Sequence, residues 1–269
     1  MKQTDNQLRE IVRQKYAEIV ESSSGDCCST RCCDESEDGG LGYSMIGEAY
    51  DGVEGYVANA DLKLGCGVPV EHAGMEPGQT VLDLGSGAGL DAFVSRKQVG
   101  PAGHVIGVDM TAGMIAKARE NVGKLGYENV EFRLGEIEHL PVVNDSVDVV
   151  ISNCVLNLVP DKKQAFSEIF RVLKPGGHFC ISDIVSSIAL PEWASEIAAA
   201  YSGCVSGAIP RPEYLEIIRK AGFRDIEIAS ERRVELPEAL LDEWLTPEQL
   251  SQAAAADISV ISITVKAVK

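Results

Sequence analysis

Val81-Leu82-Asp83-Leu84-Gly85-Ser86-Gly87-Ala88-Gly89 runs straight into the helical pattern of residues 90–98. A short apolar run, a glycine-rich turn and a helix in that order predict a buried strand whose end opens toward a ligand. Glycines permit the tight turn and let a ligand come close to the backbone. Twenty residues beyond Gly89 stands Asp109, at the end of a second apolar run, where a carboxylate can accept hydrogen bonds from both hydroxyls of a ribose.

The texture around this stretch is that of βαβ units on a parallel sheet. Strands are expected over 80–84, 104–109, 130–134, 147–153 and 178–183, with helices over 90–98, 112–125 and 161–173. The last of these presents Phe166, Ile169, Phe170 and Leu173 on one face before the stop Lys174-Pro175-Gly176-Gly177. Helices over 191–202 and 211–221 and β-like segments over 224–235 and 258–268 follow. Upstream, Leu8, Ile11, Val12, Tyr16, Ile19 and Val20 recur at helical spacing, which predicts an amphipathic helix docked by one stripe. The chain from about residue 21 to 47 is rich in Cys, Ser, Asp, Glu and Gly and has little to bury, so it reads as a mobile loop.

Composition narrows the partners. The 269 residues are 45% hydrophobic and 24% charged, ordinary for a soluble globular protein. A formal charge of −17 opposes binding to phosphate backbones, which relies on Lys and Arg, so nucleic acid is not an expected partner. No apolar run reaches the roughly 18 to 20 residues that a membrane span needs, and residues 1–13 are too polar for a secretory signal. The expectation is a cytoplasmic protein without a membrane partner. In a reducing cytosol its eight cysteines would not form a disulfide scaffold. They point instead to metal or metalloid binding, redox chemistry or packing. Cys27, Cys28, Cys32 and Cys33 cluster, whereas Cys66, Cys154, Cys180 and Cys204 are dispersed.

The glycine turn discriminates between nucleotide ligands. A nicotinamide dinucleotide prefers G-x-G-x-x-G, but Leu90 stands where the third glycine would fall. Asp83 suits the ammonium end of a zwitterionic amino-acid cofactor and would sit badly beside a pyrophosphate. The runs Asp83 to Gly89, Asp109-Met110-Thr111, Gly135-Glu136-Ile137-Glu138-His139-Leu140-Pro141 and Arg171-Val172-Leu173-Lys174-Pro175-Gly176-Gly177 resemble class I S-adenosylmethionine methyltransferases. The resemblance implies an α/β, doubly wound, Rossmann-like sheet. It assigns Asp83, Gly85, Gly87 and Gly89 to the methionine part of S-adenosylmethionine, Asp109 to the ribose, and Glu136 and Ile137 to the adenine border. Met110 and Asn153 join the same cofactor set.

Three further runs, Leu64-Gly65-Cys66-Gly67-Val68-Pro69, Ser152-Asn153-Cys154-Val155-Leu156-Asn157-Leu158-Val159-Pro160-Asp161-Lys162 and Ser202-Gly203-Cys204-Val205-Ser206-Gly207-Ala208, resemble the arsenite methyltransferases. That likeness implies Cys154 and Cys204 as the principal arsenic ligands, with Cys66 as third thiol or redox partner. Arsenite and methylarsenite are the implied substrates, and thioredoxin or glutathione the implied thiol reductant. Trivalent arsenic is thiophilic, so the residue types suit the chemistry. Among the clustered thiols, Cys32 and Cys33 are the nearer candidates for a relay. Arsenic capture is the second reading, and vicinal pairs are not the usual zinc spacing. Cys180, inside an apolar run, is expected to pack and stay inert. The division is an N-terminal helix and Cys-rich segment over 1–60, a methyltransferase domain carrying the arsenic-site cysteines over 61–223, and a small α+β C-terminal extension over 224–269 that completes the sheet or forms a cap. Two rival functions stay open: a methyltransferase of a small organic acceptor, and a thiol-rich metalloid-sequestering protein.

Overall fold

The computed structural model describes residues 5–23, 50, 52–189, 191, 207–234, 246–255 and 258–269. Helix α1 (Asp5–Ser23) precedes a short helix α2 (Pro69–His72). Then β1 (Thr80–Leu84), α3 (Leu90–Val99), β2 (His104–Asp109), α4 (Ala112–Leu125), β3 (Val130–Leu134) and β4 (Val147–Asn153) alternate as the apolar runs require. They are followed by α5 (Lys162–Val172), β5 (Leu173–Ser186), α6 (Arg211–Lys220), β6 (Arg224–Val234), α7 (Pro247–Ala255) and β7 (Val260–Val268).

The seven strands form one sheet in the order β3-β2-β1-β4-β5-β7-β6. Strands β1 to β5 are parallel to one another, while β7 runs antiparallel between β5 and β6. Alternate residues of each buried strand supply the two cores, as a period of two demands. Leu82, Leu84, Ile106 and Val108 face Phe166, Ile169, Tyr214 and Ile218 of α5 and α6. Val81, Val105, Val149 and Ile151 face Phe93, Val94, Ile115 and Ala118 of α3 and α4. Each such side chain, once fully buried, contributes about 1.5–3 kcal/mol. Asp161 caps α5 by accepting from the Gln164 amide at 3.0 Å, the interaction that N-terminal Asp provides.

The direction of winding reverses between β1 and β4, so the loops after their carboxyl ends diverge and leave a crevice there. The turn Gly85–Gly89 follows β1, and Cys154 follows β4 directly. The tail after residue 223 does add strands, since β6 and β7 extend the sheet. Strand β5 is longer than the expected 178–183. It leaves β4 at Ser182 and continues to Ser186 on β7, a partner the local pattern does not reveal. The expected helix over 191–202 lies outside the described residues apart from Pro191, and α7 had no expectation. No helix among the described residues is long and apolar enough to cross a membrane.

Candidate active site

A cavity of about 420 Å³ opens over the ends of β1, β2 and β4. Its lining includes Gly85, Ser86, Gly87, Asp109, Met110, Glu136, Ile137, Asn153 and Cys154. The three turn glycines do different jobs. A Cβ on Gly85 would lie 2.4 Å from Val155 Cγ2, and one on Gly89 would lie 2.8 Å from Phe93 and Phe132, so both are required by packing. Gly87 has only Met114 Sδ at 4.0 Å and faces open space. Of the three, Gly87 is the one that leaves room for a ligand.

Asp83 is 2% exposed, and its carboxylate accepts from the Ala92 amide. Burial first, then Asp91 and Asp109, push its pKa well above the usual carboxylate range. Among the described residues, its Oδ2 and the buried Ser86 Oγ have no hydrogen-bond partner. Such atoms are costly unless something fills the need. Asp109 accepts from the amides of Gly87 (Oδ2, 3.0 Å) and Thr111 (Oδ1, 2.8 Å), and burial raises its pKa. The Thr111 hydroxyl also bonds this carboxylate, which still keeps acceptor capacity for a ligand hydroxyl.

Asp91, the second residue of α3, completes a trio of acids around the turn, of which Asp83 is buried and Asp91 and Asp109 are partly buried. Burial raises its pKa to about 6, against the opposing bonds from Tyr50 and Asn153. The Tyr50 hydroxyl donates to Asp91 Oδ1 at 2.5 Å, and Asn153 Nδ2 donates to the Tyr50 oxygen at 2.8 Å. Asn153 also accepts at Oδ1 from the amides of Cys66 (3.0 Å) and Gly67 (3.3 Å) and donates to the Gly67 carbonyl at 2.8 Å. Asn153 therefore ties the Cys66 turn to the acid cluster, and its hydrogen-bonding capacity goes largely to protein partners. Gly65 and Gly67 allow this approach, since a Cβ on either would fall 2.7 Å from Asn153 Nδ2 or Ser182 Oγ.

Cys66 and Cys154 are brought together in one buried cluster with Ile184, Ala208, Val234 and Val260. Cys154 lines the cavity, whereas Cys66 lies behind its wall with its carbonyl accepting from Ser262 Oγ at 2.8 Å. Cys154 has φ +60° and its amide donates to the Ser182 carbonyl at 2.8 Å. That left-handed conformation costs a non-glycine residue about 1–3 kcal/mol and is held only where the surroundings dictate it. Cys180 donates to the Pro69 carbonyl at 3.3 Å, and burial pushes its thiol up to about 12. Cys204 and the clustered Cys27, Cys28, Cys32 and Cys33 lie outside the described residues. Among the described residues no group of three metal-binding side chains occurs.

Helix α1 supplies a wall that sequence reasoning missed. Arg9, Val12 and Tyr16 line the cavity. Arg9 donates to the buried Glu138 at 3.1 Å, and Arg13 donates to Glu136 at 3.2 Å, leaving Glu136 half exposed. Asp91 and Tyr50 were also missed. An acid in the first turn of a helix carries no signal beyond its favourable place at the helix dipole, and Tyr50 follows a segment with no periodicity.

Comparison with known proteins agrees with this geometry. The family described as "Methyltransferase domain" matches residues 75–222. An arsenite methyltransferase of Halobacterium salinarum is 50% identical over 83% of this chain and 59% of its own length. One from Aquipseudomonas alcaligenes is 33% identical over 88% of this chain and 68% of its own. The crystal structure of an arsenic(III) S-adenosylmethionine methyltransferase from Chlamydomonas reinhardtii is 37% identical and superposes with a TM-score of 0.66 over 76% of this chain and 67% of that one. The present chain thus spans about three fifths of the Halobacterium relative. By these matches the chain belongs to the arsenite methyltransferases, within the methyltransferase domain family.

Proposed function

We propose that this chain transfers a methyl group from S-adenosylmethionine to trivalent arsenic bound by thiolates, turning arsenite and then methylarsenite into more highly methylated arsenicals. One observation carries the reading. Cys154, packed with Cys66, opens into the same cavity as Ser86, Gly87 and Asp109, so a soft-metalloid site and a nucleotide-type site share one crevice.

The residues suit the cofactor. Asp83 Oδ2 and Ser86 Oγ, buried without partners among the described residues, offer acceptors to the ammonium of the methionine part. The buried Asp83, whose charge is opposed by the partly buried Asp91 and Asp109, favours a ligand that arrives with positive charge. Asp109 would take the ribose hydroxyls. Met110, Ile137 and Glu136 would border the adenine, with Arg9 and Tyr16 of α1 closing the far side. Bound there, S-adenosylmethionine supplies an electrophilic methyl on a sulfonium.

On the acceptor side, Cys66, Cys154 and Cys204 would hold arsenic by sulfur, leaving its lone pair to attack. Gly207, three residues after Cys204, packs on the Asn157 carbonyl, three residues after Cys154, which supports bringing those two thiols to one place. The protein's contribution is then mainly to position two reactants in line. Cys32 or Cys33 would relay thiols, and thioredoxin or glutathione would restore them, chemistry that belongs in a reducing compartment such as the cytoplasm.

The test is incubation of the purified chain with arsenite, S-adenosylmethionine and a thiol, with separation of the arsenic species. Methylated arsenic and S-adenosylhomocysteine are expected together. Arsenite bound without S-adenosylhomocysteine would identify a sequestering protein. Methyl donor consumed only with an organic acceptor would identify the other rival.

A further inference from the structure

One directed chain of hydrogen bonds joins the Cys66 turn to the acids beside the glycine turn. The Cys66 amide donates to Asn153 Oδ1 at 3.0 Å, Asn153 Nδ2 donates to the Tyr50 oxygen at 2.8 Å, and the Tyr50 hydroxyl donates to Asp91 Oδ1 at 2.5 Å. Asn153 and Tyr50 each accept from one neighbour and donate to the next, so each bond polarises the one that follows. The chain ends on a carboxylate, which makes the strongest acceptor when ionised. Tyr50, at its centre, is buried at 6% exposure.

At one end is a turn without regular structure, since residues 65–67 belong to no helix or strand. Side chains hold the Cys66 peptide on both sides, its amide by Asn153 and its carbonyl by Ser262 Oγ at 2.8 Å. Asn153 Oδ1 also takes the Gly67 amide at 3.3 Å, while Nδ2 bonds the Gly67 carbonyl at 2.8 Å and reaches Asp91 Oδ2 at 3.3 Å. A side-chain amide offers one oxygen and two donor hydrogens. Asn153 is therefore fully engaged, and it cannot rotate without releasing the Cys66 turn. Tyr50 and Asp91 fix that rotation from the far side.

The other end faces the cofactor. Tyr50, Asp91 and Asn153 all line the cavity assigned above to S-adenosylmethionine, whereas Cys66 lies behind them and is 0% exposed. For Cys66 to reach solvent the turn has to leave Asn153, and the wall then loses the arrangement against which a ligand packs. A ligand that binds only the intact wall shifts the equilibrium toward it. Leu64 and Gly65 line the cavity too, so the hold exerted through the hydrogen-bond chain has to be separated from direct contact by experiment.

We propose that Tyr50 is a positioning residue that couples the cofactor pocket to the Cys66 turn, so that Cys66 is shielded while S-adenosylmethionine or S-adenosylhomocysteine is bound and becomes reachable when the pocket empties. This inference rests on the cofactor site proposed above and on no arsenic ligation. Its signature is a cofactor-dependent change in the reactivity of one thiol that depends on a hydroxyl not touching that thiol.

The experiment compares the parent chain with Tyr50→Phe, which keeps the ring in the cavity wall and deletes the hydroxyl, and with Asp91→Asn, which keeps an acceptor for Tyr50 and removes the charge at the end of the chain. Each is labelled with N-ethylmaleimide at low concentration, where the rate follows the population of the open form, and Cys66 is read by peptide mass mapping. Labelling is run without ligand and with S-adenosylhomocysteine at about twenty times each variant's own Kd, which suppresses an opening that excludes the ligand about twentyfold. Cys180, buried in β5, reports whole-molecule opening in the same samples and should be protected equally in all three proteins. Cys66 is expected to be protected about twentyfold in the parent and less than about threefold in Tyr50→Phe. Asp91→Asn should lose protection in the same direction, and it decides if Tyr50→Phe fails to fold. Cys66 protection within about twofold of the parent in Tyr50→Phe overturns the inference and leaves direct contact as the hold on the turn. So does a fall at Cys180 as large as that at Cys66, which marks a merely structural role. A parent that does not bind S-adenosylhomocysteine overturns the cofactor site and the inference together, whereas a parent that binds it and protects Cys66 but makes no methylated arsenic overturns the proposed chemistry alone.

Discussion

Replacing Asp83 by Asn tests the cofactor side of the cleft, because it should move ligand affinity and ligand-free stability in opposite directions. Asp83 sits on β1 between Gly107 of β2 and Ile151 of β4, with one oxygen on the Ala92 amide and Oδ2 without a partner among the described residues. Its pKa is raised by burial and by Asp91 and Asp109, so with no ligand bound its charge works against the folded state. Asn keeps the acceptor for Ala92, has nearly the same volume and removes one of three like charges. The ligand-free variant should therefore melt at the parent's temperature or above it at neutral pH. The loss appears on binding. A hydrogen bond to a charged group is worth about 1.5–3 kcal/mol, which weakens S-adenosylmethionine binding by about tenfold to 150-fold. S-adenosylhomocysteine should lose a comparable factor, since it keeps the ammonium and lacks only the sulfonium charge. Titration calorimetry with both ligands, alongside scanning calorimetry, reads both effects. Unchanged affinity for either ligand, or a lower melting temperature that accounts for the lost affinity, would refute the reasoning.

Cys154→Ser and Cys204→Ser should abolish methylated-arsenic output while leaving S-adenosylmethionine affinity within twofold, and Cys66→Ser should spare methylarsenite turnover more than arsenite turnover. Purified variants assayed with each arsenical check this, and near-parent arsenite turnover by both Cys154→Ser and Cys204→Ser would end the thiolate mechanism. Gly85→Ala should destabilise the chain by about 2 kcal/mol or more, from overpacking and from a side chain at positive φ, since its Cβ meets Val155 at 2.4 Å. Adding Val155→Ala should recover part of the loss in urea denaturation, and no recovery would deny the contact. The ligand-free protein should lose stability between about pH 4 and 6. Asp91 rises from 3.8 to about 6 on folding, so the folded state holds more protons in that window and stability falls as pH climbs through it. Asp91→Asn should flatten that slope in melts across pH, and an unchanged slope would count against the assignment.

Much of the donor half was legible because it is local. The strand from Val81 to Leu84, the glycine turn and the spacing to Asp109 are consecutive features, and the first four parallel strands have the expected bounds. Asp83 stood out because a carboxylate in an apolar strand demands a reason. Asp91 and Tyr50 did not, since their roles arise only when Asn153, about sixty and a hundred residues away in sequence, folds against them. The same holds for Arg9 and Arg13, whose partners lie 129 and 123 positions away. Two of the three turn glycines, Gly85 and Gly89, also answer a packing demand that the sequence does not show, because a glycine's sequence neighbours do not disclose what its missing Cβ would strike. The full length of β5 was hidden for a related reason, as its last residues pair with a strand more than seventy positions later.

Strand β7 has a further consequence for the order in which the molecule can be assembled. It enters between β5 and β6, and its Ser262 hydroxyl holds the Cys66 carbonyl across 196 positions. A growing polypeptide that has emitted β1 to β5 therefore presents β5 as an open edge, a template for unwanted pairing. It also leaves Cys66 and Cys154 without Val234 and Val260, which roof them in the finished protein. Contacts of such sequence separation form late, so both thiols stay reachable by oxidants until β7 has been translated. Alkylation of ribosome-held chains should label Cys66 in polypeptides stopped after β5 and spare it once β7 has emerged; equal labelling at both lengths would show that the roof is not what shields it.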